Sequence, residues 1–302
     1  MRVGIVGATG FVGRRLAAAL LARGDGVTAF SRTPARARAV LPAVTDHRGL
    51  EQLTAAGCHG LDALINLAGE PVMGQRWDAT FKARVRDSRV ATTRAAVEAL
   101  AAEGEAGPRV LVNASAVGFY GDRGDTVLTE SAAPGEDFLS GVCVDWEAAA
   151  QKAAEKGARE VRLRIGVVLG EAGGALEKML LPFRMGVGGP MGDGRQYLPW
   201  VHIDDVVGAA LFALDRETLR GAVNVTAPQP LRWRDFAAAL GRALHRPAVI
   251  PVPGFALKLA LGEGATAVLS GQNAVPRALL DAGYAFRFDD VDAALRDVLG
   301  KG

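Results

Sequence analysis

"RVGIVGATGFVG", residues 2–13, decides how the rest of the chain is read. Five residues of strand character run into glycines at 7, 10 and 13, and a helical pattern follows to about residue 23. A strand that turns through glycine directly into a helix can seat a pyrophosphate. Gly7 permits the tight turn, Gly10 lets backbone approach the phosphates, and Gly13 lets the helix pack close to the sheet. The helix N-terminus then offers free N–H groups and the positive end of its dipole. The spacing differs from the common G-x-G-x-x-G, so the strand–turn–helix context carries the reading.

Working outward, apolar runs alternate with amphipathic stretches. Strands are expected at "RVGIV" (2–6), "VTAFS" (27–31), "DALINL" (62–67), "RVLVNAS" (109–115) and "VRLRIGV" (161–167), with helices at 11–23, 78–103 and 140–157. Continuous apolar strands suit a parallel sheet buried on both faces, and the βαβα order predicts a doubly wound, Rossmann-type α/β fold. After residue 170 glycines and prolines predict loops, which at strand ends commonly build substrate sites. A last strand (222–227) and a helix (231–245) follow. The expected division is a nucleotide-binding domain over 1–245, with loops 170–202 contributing to the substrate site, and a small, mostly helical C-terminal domain or cap over 246–302.

Composition narrows the function classes. The chain has 302 residues, 49% hydrophobic, a net charge of +2 and a mean hydropathy of +0.15. So weak a charge gives no reason to expect nucleic acid or an anionic membrane as partner. No apolar run is long enough to span a bilayer, and "MRVGIVGATG" has no signal-peptide pattern. Cys58 and Cys143 are far apart, without metal-ligand spacing, which fits a reducing cytoplasmic setting and predicts no metal site.

The end of the second strand selects the cofactor. An acidic residue there would accept hydrogen bonds from a ribose 2′-hydroxyl, but this chain reads "AFSRTPAR". Ser31 and Arg32 suit a 2′-phosphate, which a carboxylate would repel. NADP(H) is therefore expected over NAD(H).

With "GATGFVG", "SRTP", "INLAGE", "NASAVGFYG", "RIGVVLG" and "WVHIDDVVGAA" in order, the chain resembles the extended short-chain dehydrogenase/reductase superfamily. The stretches 67–100 and "VCVDWEAAA" resemble more closely an atypical, epimerase-like branch, the SDR39U1-type proteins of the NAD-dependent epimerase/dehydratase family. Residues 248–297 resemble that branch's small terminal domain. The resemblance implies a Rossmann-type fold and NADP(H) binding. It places Gly7, Thr9, Gly10, Phe11 and Val12 at the pyrophosphate and Ser31 and Arg32 at the adenosine 2′ side. Leu67, Ala68, Gly69 and Glu70 fall at adenosine and ribose contacts. Ala114 and Ser115 fall beside the nicotinamide at the end of the fifth strand, and Ile165 and Val167 end the sixth. Arg89 occupies the helical place where relatives carry a polar cofactor contact. Superfamily relatives also dimerise through the helix expected at 78–103, which makes a homodimer an expectation.

The superfamily's proton relay is a tyrosine with a lysine four residues later, one helical turn that puts both on one face. Each of the three tyrosines fails this test, since Tyr120, Tyr197 and Tyr284 are followed by Gly124, Val201 and Phe288. Matching Glu147 to the glutamate that ends the family's helix motif puts Leu139 and Cys143 in the relay positions, and sliding the register by one puts Phe138 and Val142 there instead. Leu139, Val142, Cys143, Trp146, Ala150 and Ala153 instead recur as one apolar helical face. Ser115 is the expected catalytic serine, with Ala116 as the alternative one residue on. Tyr120 is the remaining acid candidate or an aromatic pocket wall. Arg195, Gln196, Trp200 and His202 are expected to line the substrate pocket, and His202 is read either as a proton donor near neutrality or as a loop-orienting residue.

These residues predict an NADP(H)-dependent oxidoreductase or epimerase-like enzyme acting on a small molecule without the Tyr-x-x-x-Lys pair. The competing expectation is a non-catalytic NADP(H) sensor or scaffold, with a link to cell or organelle division carried by the resemblance.

Overall fold

The computed structural model describes residues 1–102, 108–171 and 173–300. The chain starts with β1 (Arg2–Val6), α1 (Phe11–Ala22), β2 (Gly26–Ser31), α2 (Pro34–Val40), β3 (Asp46–Gly49) and a short α3 (Ala55–Cys58). It continues through β4 (Ala63–Asn66), α4 (Ala79–Ala102), β5 (Val110–Ala116), β6 (Val127–Leu128), α5 (Phe138–Glu155), β7 (Arg159–Ile165) and β8 (Val167–Leu169). Then come α6 (Gly174–Arg184), β9 (Tyr197–Leu198), β10 (Trp200–His202), α7 (Ile203–Asp215), β11 (Gly221–Val225), β12 (Leu231–Arg232) and α8 (Trp233–Leu244). The C-terminal segment adds α9 (Gly254–Leu261), α10 (Thr266–Leu269), β13 (Asn273–Ala274), α11 (Arg277–Asp281) and α12 (Val291–Val298). The helix expected over 78–103 is α4; its last expected residue, Glu103, lies outside the described residues.

Seven strands form one parallel sheet in the order β11-β7-β5-β4-β1-β2-β3. Strand order therefore reverses between β1 and β4, which opens a crevice at their carboxyl ends. The expected doubly wound fold is the observed one. Alternation assigns each strand residue to a face. Val3, Ile5, Ala63, Ile65, Val110 and Val112 pack with α1 and α7. Val6, Leu64 and Leu111 pack with α4 and α5 on the other side.

Two expectations are corrected here. The glycine- and proline-rich stretch after 170 is not loop throughout but holds α6, because Leu176, Met179 and Phe183 recur at helical spacing and are buried. Composition hid that periodicity. The strand expected over 161–167 divides at Gly166, where Val167 N–H donates to Pro199 O at 2.7 Å and the chain leaves the large sheet. A Cβ on residue 166 would stand 2.0 Å from that same oxygen, so the crossing is built for glycine. Val167 consequently belongs to β8, paired with β10.

A second core lies between β8, β10, α6, α8 and α12, around Trp200, Trp233, Phe236, Val291 and Leu295. Residues from both sides of position 245 build it. Asp205, on α7, accepts hydrogen bonds from the backbone N–H of Arg287 (2.7 Å) and Phe288 (3.0 Å) and from the Tyr284 hydroxyl (3.2 Å). That carboxylate fastens the 284–288 segment to α7. No helix among the described residues is long and apolar enough to cross a membrane.

Candidate functional site

The sheet strands are buried along their length and open at their carboxyl ends. Val6, Asn66 and Arg164 are buried, whereas Gly7, Leu67, Ala116 and Ile165 just beyond or beside them are half-buried. The rim runs across the strand-order reversal, where ligands of such sheets bind.

At its centre Gly7 takes φ of +84°, and a Cβ there would come within about 3.0 Å of the Leu67 and Ala68 backbone. Gly10 N–H donates to Gly7 O at 3.0 Å, closing the turn. A Cβ on Gly13 would lie 2.3 Å from Gly7 O, so α1 can sit this close to the turn only with glycine at 13. At Gly10 the sole near contact is Gly7 O at 3.2 Å, and the residue faces solvent. No side chain caps α1, and its first turn carries no acid. Its free N–H groups lie at the crevice, with no acid in that first turn to repel an anion. Thr9, Phe11 and Val12 are half-buried around this turn. The Phe11 ring is enclosed by backbone, since a Cβ on Gly170, Gly173 or Gly174 would come within 2.6–2.9 Å of it.

On either side, β2 ends at Ser31, whose hydroxyl is buried and lacks a hydrogen-bond partner among the described residues. Arg32 follows and is exposed. A buried polar group without a partner implies a ligand or water to complete it. After β4, Ala68 N–H donates to Asn66 Oδ1 at 3.2 Å, while Asn66 Nδ2 donates to Thr93 and Asn113. This buried amide network holds the Leu67–Glu70 turn. Gly69 is exposed, and Arg89 from α4 packs directly beneath it.

The hydroxyls expected to do chemistry are engaged elsewhere. Ser115 shares the face of Leu111 and Asn113, and its Oγ donates to Glu147 Oε1 at 2.7 Å. Ala116, the alternative position, is the residue left half-open at the rim, while Ser115 is 3% exposed. Tyr120 is fully buried; its hydroxyl donates to Asn224 Oδ1 at 2.6 Å and accepts from Arg164 Nη1 at 2.9 Å. It is neither an open phenol nor a pocket wall. Burial pushes its pKa up and keeps it neutral. Arg164 ties the group together, with Nε and Nη2 on the two oxygens of Glu147 (2.8 and 2.9 Å) and its guanidinium 3.5 Å from the Phe119 ring centroid. A buried pair of this geometry has its charges compensated and its donors used. In the sequence Glu147 serves only to set the register of α5, and Arg164 and Asn224 carry no reading as site residues. Their signal is the arginine pair in "VRLRI", because a charge on a strand buried on both faces must find a partner.

The apolar reading of α5 holds: Val142, Cys143, Trp146, Ala150 and Ala153 are buried and Leu139 is half-buried. Burial pushes the Cys143 thiol up to about 12, with the Glu147 charge adding to it, so this thiol stays protonated. Such a sulfur is a poor nucleophile.

The expected substrate wall is not assembled. Trp200 and His202 are 2% and 1% exposed; Trp200 belongs to the second core with α8 and α12, and His202 packs against Phe288, their ring centroids 3.9 Å apart. Arg195 is exposed, and Gln196 donates to the Met191 carbonyl of its own loop and to the Val268 carbonyl of α10. His202 caps α7, its Nδ1 accepting from Asp204 N–H at 3.1 Å, and burial lowers its pKa so that it is neutral. Potential metal-ligand atoms of His202, Asp204 and Asp297 lie within 4.8 Å of one another. With Nδ1 accepting, however, Nε2 carries the proton and faces Asp297 at 3.2 Å, while Asp204 is paired with Arg15 and Arg287. The protonated Nε2 has no lone pair to give a cation.

The sequence matches the model of the NAD dependent epimerase/dehydratase family over residues 3–226, and a domain of unknown function, DUF1731, over 252–298. It is 41% identical to the chloroplastic epimerase family protein SDR39U1 homolog of Arabidopsis thaliana, over 99% of this chain and 87% of that protein. It is 37% identical to the human epimerase family protein SDR39U1, over 99% of this chain and 100% of that protein. Among solved structures it superposes on human SDR39U1 crystallised with NADPH, with a TM-score of 0.91 and 36% identity over 100% of both chains. A nucleoside-diphosphate sugar epimerase from Corynebacterium glutamicum gives 0.80 and 32%, over 99% of this chain and 58% of that one. With the reversed-order parallel sheet and the Gly7–Gly13 turn, these matches make the chain a member of the NAD dependent epimerase/dehydratase family, among the SDR39U1-like proteins.

Proposed function

We propose that this chain binds NADP(H) across the rim of the sheet and acts as an oxidoreductase of the epimerase type on a small molecule, without a side-chain proton relay. The observation that carries the cofactor choice is the end of β2. There a buried, unpartnered Ser31 hydroxyl is followed by an exposed arginine, with no carboxylate to repel a 2′-phosphate. The NADPH of the human relative's crystal structure supports the same choice.

In this reading Gly7, Thr9, Gly10, Phe11 and Val12 hold the pyrophosphate and Ser31 and Arg32 the 2′-phosphate. Leu67, Ala68, Gly69 and Glu70 line the adenosine and ribose side, and Ala114, Ala116, Ile165 and Val167 the nicotinamide side. The cofactor, when bound, supplies hydride transfer. Ser115 and Tyr120 act at one remove, by fixing the end of β5 through Glu147 and Arg164. Water is left to exchange the proton. Positioned acid–base groups are typically worth ~10²–10⁴-fold in rate, so a slow enzyme is expected.

One observation favours a second reading, a nucleotide sensor without turnover: the α5 face is apolar and its thiol stays protonated. Incubating the protein and NADPH with nucleotide-sugar ketones and small aldehydes, and following absorbance at the reduced-nicotinamide band, separates the two. Sustained oxidation above the protein-free rate supports the oxidoreductase. Tight NADPH binding with no oxidation across the panel gives the sensor reading the field.

A further inference from the structure

Between α8 and the start of α12, beside the second core, lies a cavity of about 290 Å³. Trp200, Asp235, Arg242, Asp289, Asp290 and Asp292 form part of its wall. Ligand pockets run from about 300 to 1,000 Å³, so this one suits a ligand of few atoms.

Two independent features of the wall call for a ligand. The first is charge, since four aspartates stand with a single arginine. Arg242 is already committed, with Nη2 2.9 and 2.8 Å from the two carboxylate oxygens of Asp292. Asp290 uses Oδ1 to accept from the backbone N–H of Ala293, which caps α12. Asp235 lies 3.8 Å from Arg234 Nε, too far for a hydrogen bond. Asp289 is exposed and has no cation partner among the described residues. Carboxylate charge is left that nothing on the wall neutralises.

The second feature is a donor. Trp200 is 2% exposed, and its indole Nε1 is buried without a hydrogen-bond partner among the described residues. An indole N–H only donates, so an ammonium does not satisfy it and an oxygen acceptor does. A carboxylate there would be repelled by the aspartates, which leaves a neutral oxygen. A chelated metal ion fits neither feature. Among the described residues no three of these aspartates bring carboxylate oxygens within 4.8 Å of one another, and the indole nitrogen has no lone pair to give.

We infer that the cavity between α8 and α12 binds a small organic cation in which a protonated amine stands beside a neutral oxygen, the chemistry of an amino sugar or an amino alcohol. The ammonium pairs with Asp235, Asp289 and Asp290, and the oxygen accepts from Trp200 Nε1. None of these residues belongs to the proposed cofactor rim, so the inference is independent of the NADP(H) reading.

Indole N–H resonances of the whole protein test it. The chain has four tryptophans, and Trp200→Phe identifies which of the four peaks is at the cavity. Glucosamine and ethanolamine, one for each source of this chemistry, are titrated with their amines protonated. At least one is expected to move the Trp200 peak to saturation, and the compound that does so names the source. N-acetylglucosamine keeps oxygens without the charge, and putrescine keeps the charge without an oxygen. Each is expected to bind at least about tenfold more weakly, roughly the contribution of one charge-assisted hydrogen bond. Asp235→Asn with Asp289→Asn changes two exposed side chains and is expected to weaken the amine about fivefold. A Trp200 peak unmoved by either amine overturns the inference, as does a shift that never saturates. So does equal binding of putrescine or N-acetylglucosamine, or a Trp200 shift given by magnesium or calcium ions alone. If Trp200→Phe does not fold, calorimetry on the double aspartate variant decides. Weakened binding of the amine supports the inference, and parent-like binding overturns it.

Discussion

Ser115 and Glu147 are joined by a 2.7 Å hydrogen bond that turns the last hydroxyl of β5 into the α5 side of the sheet, away from the crevice. The carboxylate that receives it is held by Arg164, which also holds Tyr120. Both hydroxyls thus belong to one buried network, and its removal should be felt in stability before chemistry. Tyr120→Phe leaves Asn224 Oδ1 and one Arg164 donor short of a partner, a cost of ~1–3 kcal/mol. Chemical denaturation should register that loss, while any NADPH-dependent turnover should change less than about tenfold, far below the effect of deleting a proton donor. A stable variant with turnover lowered ~10²-fold would return Tyr120 to the reaction.

NADPH should bind at least tenfold more tightly than NADH, a difference of ~1.4 kcal/mol and modest for a charge-assisted phosphate contact. Arg32→Ala should remove most of that preference, because the exposed guanidinium has a 2′-phosphate as its proposed anion. Competitive fluorescence titration measures both. Equal affinities in the parent protein would remove the 2′-phosphate assignment.

Two glycines in the same turn should fail differently. At Gly13 even one methyl group meets Gly7 O at 2.3 Å, so Gly13→Ala should unseat α1 and lower the melting temperature. At Gly10 the space is open apart from one oxygen at 3.2 Å, so Gly10→Val should fold and lose NADPH. Circular dichroism with calorimetry distinguishes the outcomes, and undiminished binding by folded Gly10→Val would contradict the phosphate turn.

Glu160 gives the molecule a pH dependence of unusual sign. Its carboxylate is buried, with Arg162 Nε at 2.7 Å but not aligned for a hydrogen bond, and burial raises its pKa from 4.5 to about 7. Below about pH 4.5 the group is protonated folded or unfolded and contributes no slope. Between 4.5 and 7 only the unfolded chain releases the proton, so this residue's share of stability falls as pH rises, by up to ~3 kcal/mol. Above about 7 it is constant. The difference in unfolding free energy between Glu160→Gln and the parent should therefore grow in the variant's favour from pH 5 to pH 7. A flat difference would mean that Arg162 compensates the charge fully.

Strands and cofactor turn were legible because their causes are local. A strand buried on both faces reads as an unbroken apolar run, and "GATGFVG" states its geometry in seven residues. Side-chain destinations were not local. Tyr120 meets Asn224 from 104 residues away, and nothing in "GFYG" announces it. For the serine, a one-residue difference in register decides between the crevice and α5, and the apolar run before it fits either choice. Trp200 and His202 are expected in the pocket by their place in a loop-rich stretch, whereas residues some ninety positions on cover them, Phe288 over His202 and α12 in the core of Trp200. Helix α6 was missed because its apolar spacing is embedded among glycines.

Asp205 has a consequence for anyone dissecting the chain. It sits inside the stretch matched by the first family model, yet its acceptors are filled by residues 284–288 of the second. Val291, Leu295 and Val298 likewise complete a core whose other half is Trp233, Phe236 and Leu240. The seam seen in sequence is therefore not a seam in the packing. A gene cut at residue 245 would give one fragment with a stranded carboxylate and an open core, and another too short to cover its own apolar side. Exchanging the tail between relatives calls for the α7 and α8 surfaces to be exchanged with it.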